Sequence, residues 1–208
     1  MSEILVNTIK KADGTGSLTV PAETGTVLTS ASTLSSSNLS GALPALDGSS
    51  LTGVGITEVD TWVLNTNFTG NNDSVTNVTK KYSIGTGMSE SSGLWTFPST
   101  GVYYIEFHIQ TRITDNSDPN WVAAIIRTST NGGGSFSSLA IGESFLYTWE
   151  SASTYMKTMT SGFFTVSNTS THKVQFGVNV DGGNTNLQTD SSGSNYTFMN
   201  FIRLGDAP

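Results

Sequence analysis

Aromatic residues are confined to one part of this chain. All twenty Phe, Tyr and Trp residues lie between Trp62 and the C-terminus of the 208-residue sequence. Because aromatic side chains bury more apolar area than most others, a segment without them cannot build the same kind of core as the remainder. The sequence therefore predicts two parts: an N-terminal arm or stalk over residues 1–57, and a single globular domain, the head, over residues 58–208.

The composition disfavours several classes of protein. Charged residues make up 12% of the chain, against roughly 25% in an ordinary soluble protein. The net charge of −7 disfavours phosphate-backbone binding, so we expect no nucleic-acid partner. The absence of cysteine excludes disulfides and thiolate metal sites. No apolar run approaches the roughly 20 residues of a membrane span, and the N-terminus lacks a signal-peptide pattern, so we expect no membrane partner and synthesis in a cytoplasm.

The arm combines short β-type runs with a long stretch poor in apolar residues. The β-type runs are residues 4–6, 18–20 and 27–29, and Asp13-Gly14 between the first two is a turn signal. From residue 30 to residue 55 isolated aliphatic residues are interrupted by Gly41, Pro44 and Gly48, which favours irregular extended chain over a helix. Two interpretations remain open: a disordered linker, or a stalk in which leucines from parallel copies meet on a shared axis.

The head contains two runs with a clear period of two. Between Val102 and Ile113, large apolar side chains alternate with polar ones that include His108. The run from Lys173 to Val180 alternates in the same way. A period of two with this polarity is typical of a strand with one face in the core and the other in solvent or at a polar interface.

Further strand-like runs separated by turn-forming residues complete the head. These runs are residues 62–68, 75–84, 94–97, 121–128, 139–147, 155–166 and 196–204. No stretch shows a sustained helical period. About nine short strands with polar turns predict an all-β antiparallel sandwich or barrel.

The run from Phe97 to Phe107 resembles the signature strand of the C1q and tumour-necrosis-factor superfamily. A Phe-Pro pair, a turn glycine at Gly101 and a Gly-x-Tyr-x-x-x-Phe pattern follow in the same order. The run from Tyr196 to Leu204 resembles the closing strand of that superfamily. The resemblance implies a C1q-like jelly-roll protomer of about ten strands that packs as a homotrimer and binds through exposed loops and outer faces. The collagen repeat that would precede such a head is missing here.

The N-terminal part resembles another group of proteins. Residues 4–9, 17–21 and 43–54 are similar to segments of bacteriophage tail fibres and other virion appendage proteins. The two resemblances together imply a trimeric tail fibre in the virion, whose residues 1–57 bind other virion proteins and whose head adsorbs to a host-surface glycan or protein. The alternatives are a trimeric capsid decoration protein that staples the shell through its arm, and, in another class, a free C1q-like lectin or adhesion module.

Residues with catalytic chemistry form no recognisable motif. The two histidines are His108, on the polar face of a strand, and His172, after a turn; we expect neither to be catalytic, and we expect no enzyme activity, cofactor or metal. Acidic turns near Asp118 and from Asp181 to Asp190 are typical structural turns, although their oxygens would suit Ca²⁺. A glycan-binding surface is the weaker alternative for Tyr147, Trp149 and Tyr155, since such aromatic residues usually lie in a core or subunit interface.

Overall fold

The computed structural model describes residues 8–10, 17–19, 55–113, 121–145, 155–181, 187–191 and 196–208. The chain divides into two compact units, Met1–Ser50 and Leu51–Pro208. In the first unit, β1 (Thr8–Lys10) pairs antiparallel with β2 (Ser17–Thr19). The remaining β-type runs predicted for the arm, and the stretch from residue 30 to residue 54, lie outside the described residues.

Every element named in the described part of the head is a β-strand, as the alternating sequence pattern predicts. The strands are β3 (Val59–Leu64), β4 (Phe68–Thr69), β5 (Val78–Ile84), β6 (Ser89–Ser91), β7 (Leu94–Thr96), β8 (Gly101–Ile113), β9 (Trp121–Ser129), β10 (Ser137–Phe145), β11 (Tyr155–Val166), β12 (Lys173–Val180), β13 (Leu187–Thr189) and β14 (Phe198–Gly205). No helix in the described part of the chain has the length and apolarity needed to cross a bilayer.

The strands form two antiparallel sheets. One sheet has five strands in the order β10-β9-β12-β7-β6. The other has seven, with β4-β13-β8-β14-β3-β5 in order and β11 paired to the free side of β8. β8 is the longest strand and organises this second sheet, because it pairs with β11 along one side and with β14 and β13 along the other. The predicted antiparallel sandwich is confirmed.

The core lies between the two sheets and is built from the inward faces of their strands. On β8 the inward side chains are Tyr103, Ile105, Phe107, Ile109 and Ile113, all at most 2% exposed. On β12 they are Val174, Phe176, Val178 and Val180, which are equally buried. The faces that the sequence predicts for both strands are therefore confirmed. Burial of these two faces supplies much of the hydrophobic stabilisation of the head.

Trp95 on β7 lies at the centre of this core. Its ring centroid is 4.7 Å from that of Trp62, 5.2 Å from that of Phe201 and 5.5 Å from that of Phe176. The contacts with Trp62 and Phe176 are edge-to-face, the geometry that aromatic quadrupoles favour. Rings from both sheets meet around one side chain, and this contact fixes how the sheets face each other.

The strand boundaries differ from the sequence prediction in several places. The predicted strand over residues 62–68 is two strands, β3 and β4, and the strand predicted to start at residue 75 starts at Val78. The short strands β6 and β13 were not predicted. Both have three residues and a largely polar sequence, so neither shows the alternation on which a prediction depends.

Candidate functional site

The outward face of the seven-stranded sheet carries a row of apolar side chains. Cross-strand pairing brings Ile84, Val59, Ile202, Tyr104 and Phe163 into one line across five strands. Ile84 is 40% exposed and Phe163 64% exposed, and the other three are half-buried. The rings of Tyr104 and Phe163 lie 5.3 Å apart. No residue of the described structure covers this row fully.

A polar row follows directly beside the apolar one. Thr61 Oγ1 donates to Asn200 Oδ1 at 2.8 Å, and Asn200 Nδ2 donates to Glu106 Oε2 at 3.0 Å. The hydroxyl of Tyr104 donates to Glu106 Oε1 at 3.0 Å. Because both carboxylate oxygens already accept hydrogen bonds, Glu106 is partly satisfied without water. A row in this state can be covered by another protein at lower cost than an unpaired carboxylate.

A second apolar row, which contains the rings of His108 and Phe198, lies on the other side of the polar row. The ring of His108 stacks on Phe198 with centroids 4.3 Å apart and planes 11° from parallel. Met159, opposite His108 on β11, is 57% exposed. His108 Nε2 lies 3.9 Å from Glu106 Oε2. His108 thus contacts an aromatic ring and a carboxylate of its own chain on this face; a role at a subunit interface stays a prediction.

The apolar surface continues onto the strands that close one side of the sandwich. β10 and β11 belong to different sheets and approach each other there, with Ser144 Oγ donating to the Lys157 carbonyl oxygen at 3.4 Å. Ile141 and Phe145 on β10 are 53% and 72% exposed. We call these two residues, with Met159 and Phe163 on β11, the edge patch. Exposed apolar surface of this extent is typical of an interaction site.

These apolar rows are not evident from the sequence. The alternation in β8 predicts a polar outward face that contains Glu106, His108, Gln110 and Arg112. Tyr104 shares that face and interrupts its polarity, and Phe163 and Ile202 occupy matching positions on the neighbouring strands. Cross-strand register places the three side by side, and register is not readable from one strand alone.

The predicted ligand surface is described only in part. Tyr147 and Trp149 lie outside the described residues, so the proximity of the three aromatic residues stays a prediction. Tyr155 begins β11, is 55% exposed and borders a cleft of about 420 Å³. The cleft lies on the outward side of the seven-stranded sheet. The described residues that line it are Asn67, Gln110, Arg112, Tyr155, Asp190 and Tyr196.

An ion pair between distant parts of the chain organises this cleft. Arg112 Nε lies 3.2 Å from Asp190 Oδ1 and donates to Gln188 Oε1 at 2.8 Å, and Arg112 Nη2 donates to the same oxygen. Asn67 Nδ2 also donates to Gln188 Oε1, at 3.0 Å. Asp190 is 6% exposed. These contacts fix the guanidinium before any ligand arrives.

The two acidic turns that could bind a cation are only partly described by the structure. Asp118, Asn184 and Asn186 lie outside the described residues. Asp190, the last residue of the second acidic segment, is paired with Arg112. Among the residues that the structure describes, no three His, Cys, Asp or Glu side chains form a group that could hold a metal ion.

Comparison with known proteins shows the fold of the head. The crystal structure of murine APRIL at pH 5.0 shares 14% sequence identity with this chain. The alignment covers 71% of this chain and 98% of the APRIL chain, with a TM-score of 0.54. The structure of the Eiger TNF of S. frugiperda shares 11% sequence identity. Its alignment covers 72% of this chain and 94% of the Eiger chain, with a TM-score of 0.56. No protein-family model matches the sequence, and no curated protein matches it significantly. The structural likenesses confirm a jelly-roll sandwich of tumour-necrosis-factor type.

Proposed function

We propose that the chain is a structural attachment protein of a virion, whose head assembles as a homotrimer and presents a binding surface to a host cell. The observation that carries the assembly is the exposed apolar surface, made of the two outward rows of the seven-stranded sheet and the edge patch. Exposed apolar patches bordered by polar residues mark interaction sites in soluble proteins. A second copy of the same chain is the occupant that the fold favours.

The arrangement of the apolar surface favours a rotational interface. The rows lie on a sheet face, whereas Ile141 and Phe145 lie on an edge strand of the other sheet. When the edge of one copy packs on the sheet face of the next, each copy uses two different surfaces. Such a heterologous contact does not give a two-fold dimer, and it forms a ring when the rotation between copies closes. The resemblance of the sequence to the C1q and tumour-necrosis-factor superfamily supports three copies in that ring.

Placement in a phage particle rests on the N-terminal sequence. Residues 4–9, 17–21 and 43–54 resemble tail-fibre segments. In this proposal the arm, residues 1–57, binds a virion protein, and the head faces outward and adsorbs to the host surface. The chain is made in the host cytoplasm and reaches the exterior as part of the particle.

Removal of the arm tests this placement. A variant lacking residues 1–55 is expected to keep a folded head, shown by its near-ultraviolet circular dichroism, and to be absent from purified particles that contain the full chain. Incorporation of the truncated protein at the level of the full chain would contradict the role of the arm. Absence of the full chain from every particle would overturn the virion proposal and favour a free lectin-like module.

Sedimentation with host cells tests the adsorption step. The purified full chain is expected to sediment with cells of the host and to lower the adsorption rate of the phage when added in excess. A trimer that is present in particles but binds no cells would contradict the tail-fibre role and support capsid decoration.

A further inference from the structure

The cleft beside Tyr155 is lined by a side-chain amide that is open to solvent. Gln110 is 7% exposed and lines the cleft. Its backbone N–H donates to Thr197 Oγ1 at 3.2 Å, and its backbone carbonyl accepts from the N–H of Asp190 at 2.8 Å. No described residue hydrogen-bonds its side-chain carboxamide, and the carboxamide is not among the fully enclosed polar groups of the head that lack a partner. It is therefore open to the cleft, where its two donors and one acceptor group can bond water or a ligand.

The charged groups of the cleft largely compensate each other. The guanidinium of Arg112 is held by Asp190 and Gln188, and Asn67 Nδ2 shares the Gln188 oxygen and lies 3.5 Å from Asp190 Oδ1. Because the guanidinium already has a carboxylate partner, Arg112 gives the cleft no strong preference for an anion such as phosphate. It offers fixed polar groups of both kinds, donors on Arg112 and acceptors on Asp190.

Two aromatic rings complete the wall. Tyr155 is 55% exposed, and Tyr196 lies across the cleft with Lys157 Nζ 5.9 Å from its ring centroid. Neither phenol has a hydrogen-bond partner in the described part of the chain. A tyrosine ring presents a flat, electron-rich face, and its hydroxyl can donate and accept. This combination suits a ligand with one apolar face and a rim of hydroxyl groups.

We propose that this cleft binds a short, uncharged saccharide. The C–H face of a pyranose ring packs on Tyr155, and its neighbouring hydroxyls bond the carboxamide of Gln110 and the free edge of Arg112. A volume of about 420 Å³ lies within the ordinary range for small-molecule sites, roughly 300 to 1,000 Å³, and suits a mono- or disaccharide. The inference deepens the proposed adsorption function and rests on it for the source of the sugar, a host-surface glycan.

Saturation-transfer NMR on the full chain tests the inference with four probes: glucose, galactose, N-acetylglucosamine and rhamnose. At least one is expected to receive magnetisation at millimolar concentration, with its ring protons saturated most strongly. Tyr155→Ala and Gln110→Met are each expected to weaken that binding about tenfold or more. Tyr155→Phe keeps the stacking ring and is expected to retain most of the affinity.

Tyr82→Ala is the matched control, because Tyr82 is 56% exposed on β5 at the opposite side of the same sheet. It is expected to bind the sugar as the wild type does. Failure of all four sugars to bind, equal binding by Tyr155→Ala, or an equal loss in Tyr82→Ala would overturn the saccharide site. If the wild type adsorbs to cells yet binds no sugar, the proposed function stands and this inference fails. If sugar binds at the cleft but the chain is absent from particles, the site stands and the virion proposal fails.

Discussion

Tyr103 links the core of the head to the turn before β8. Its ring is 1% exposed and lies 4.7 Å from the ring of Phe97. Its hydroxyl donates to the carbonyl oxygen of Ser99 at 3.0 Å, and Ser99 Oγ lies 3.0 Å from the same hydroxyl. Gly101 has a φ of 149°, and a Cβ there would lie 2.5 Å from the carbonyl oxygen of Gly205. The Phe-Pro and Gly-x-Tyr residues of the superfamily pattern therefore fix this turn.

Tyr103→Phe and Tyr103→Ser separate the two contributions of this side chain. Tyr103→Phe removes one buried hydrogen bond and is expected to lower the free energy of unfolding by about 1 kcal/mol. Tyr103→Ser also removes the ring and is expected to cost about 3–5 kcal/mol. Urea denaturation measures both values. A near-neutral Tyr103→Ser variant would contradict the inward orientation of this face of β8.

Burial also makes the contribution of Tyr103 depend on pH. Loss of solvation on burial raises the pKa of Tyr103 above its ordinary value, while the hydrogen bonds with Ser99 act in the opposite direction. A raised pKa in the folded state means that the stability is fully present below the unfolded-state pKa, about 10, and is lost as pH rises through the folded-state pKa. The stability difference between wild type and Tyr103→Phe should therefore stay constant up to about pH 10, the unfolded-state pKa, and decline as the pH rises above it. A difference that grew with pH would contradict this assignment.

Asp60 is a buried carboxylate with structural partners. It is 1% exposed, accepts hydrogen bonds from the backbone N–H of Met88 and, at 3.3 Å, from Trp62 Nε1, and lies 3.6 Å from Lys80 Nζ. Asp60→Ala leaves these donors unpaired and is expected to destabilise the head by about 3–5 kcal/mol in urea denaturation. Asp73→Ala is the control, since Asp73 is 82% exposed in its pair with Arg127, and such surface pairs contribute about 1 kcal/mol or less. Equal effects would contradict a special role for the buried carboxylate.

At the scale of elements, the sandwich closes where β10 meets β11. A Cβ on Gly142 would overlap the carbonyl oxygen of Met159, and a Cβ on Gly162 would lie 3.0 Å from Leu139 Cγ. The two strands belong to different sheets, so glycine here permits a close approach between sheets rather than a turn.

Gly142→Ala tests this close approach. The added methyl group must displace backbone, and overpacking of this kind costs about 1–3 kcal/mol. Gly134→Ala is the control, because its nearest neighbour would be 3.5 Å from the new Cβ. Thermal unfolding should show a lower Tm for Gly142→Ala and little change for Gly134→Ala. Equal Tm values for the two variants would contradict the contact.

The long alternating strands could be predicted from sequence, and the candidate sites could not. β8 and β12 have enough residues for the period of two to be unambiguous. β13 has only three residues. Its contribution to the cleft is Gln188, which accepts a hydrogen bond from Arg112, a residue far from it in the sequence. The row of Tyr104, Phe163 and Ile202 depends on the register of three strands. Pairing and register are tertiary information that no single run contains.

At the scale of the whole molecule, an aromatic-rich sandwich follows a segment without aromatic residues. The compact unit that contains the head begins at Leu51, and a boundary after residue 57 stays a prediction. The sandwich has the fold of tumour-necrosis-factor proteins at 11–14% sequence identity. Because its outward apolar rows and edge patch are exposed, we expect the chain to assemble through these surfaces.

Substitution of Phe163 tests this assembly most directly. It is 64% exposed and belongs both to the apolar row and to the edge patch. Phe163→Glu places a charge in the proposed interface and is expected to weaken assembly by about two orders of magnitude or more, because an unpaired buried charge costs several kcal/mol. Thr130→Glu adds the same charge at an exposed position next to the end of β9 and should leave assembly unchanged.

Light scattering coupled to size-exclusion chromatography measures the outcome directly on the purified full chain. We expect the mass of three chains for the wild type and for Thr130→Glu, independent of concentration in the micromolar range, and a shift toward the mass of one chain for Phe163→Glu. A wild-type protein with the mass of one chain at every concentration would contradict assembly through these surfaces.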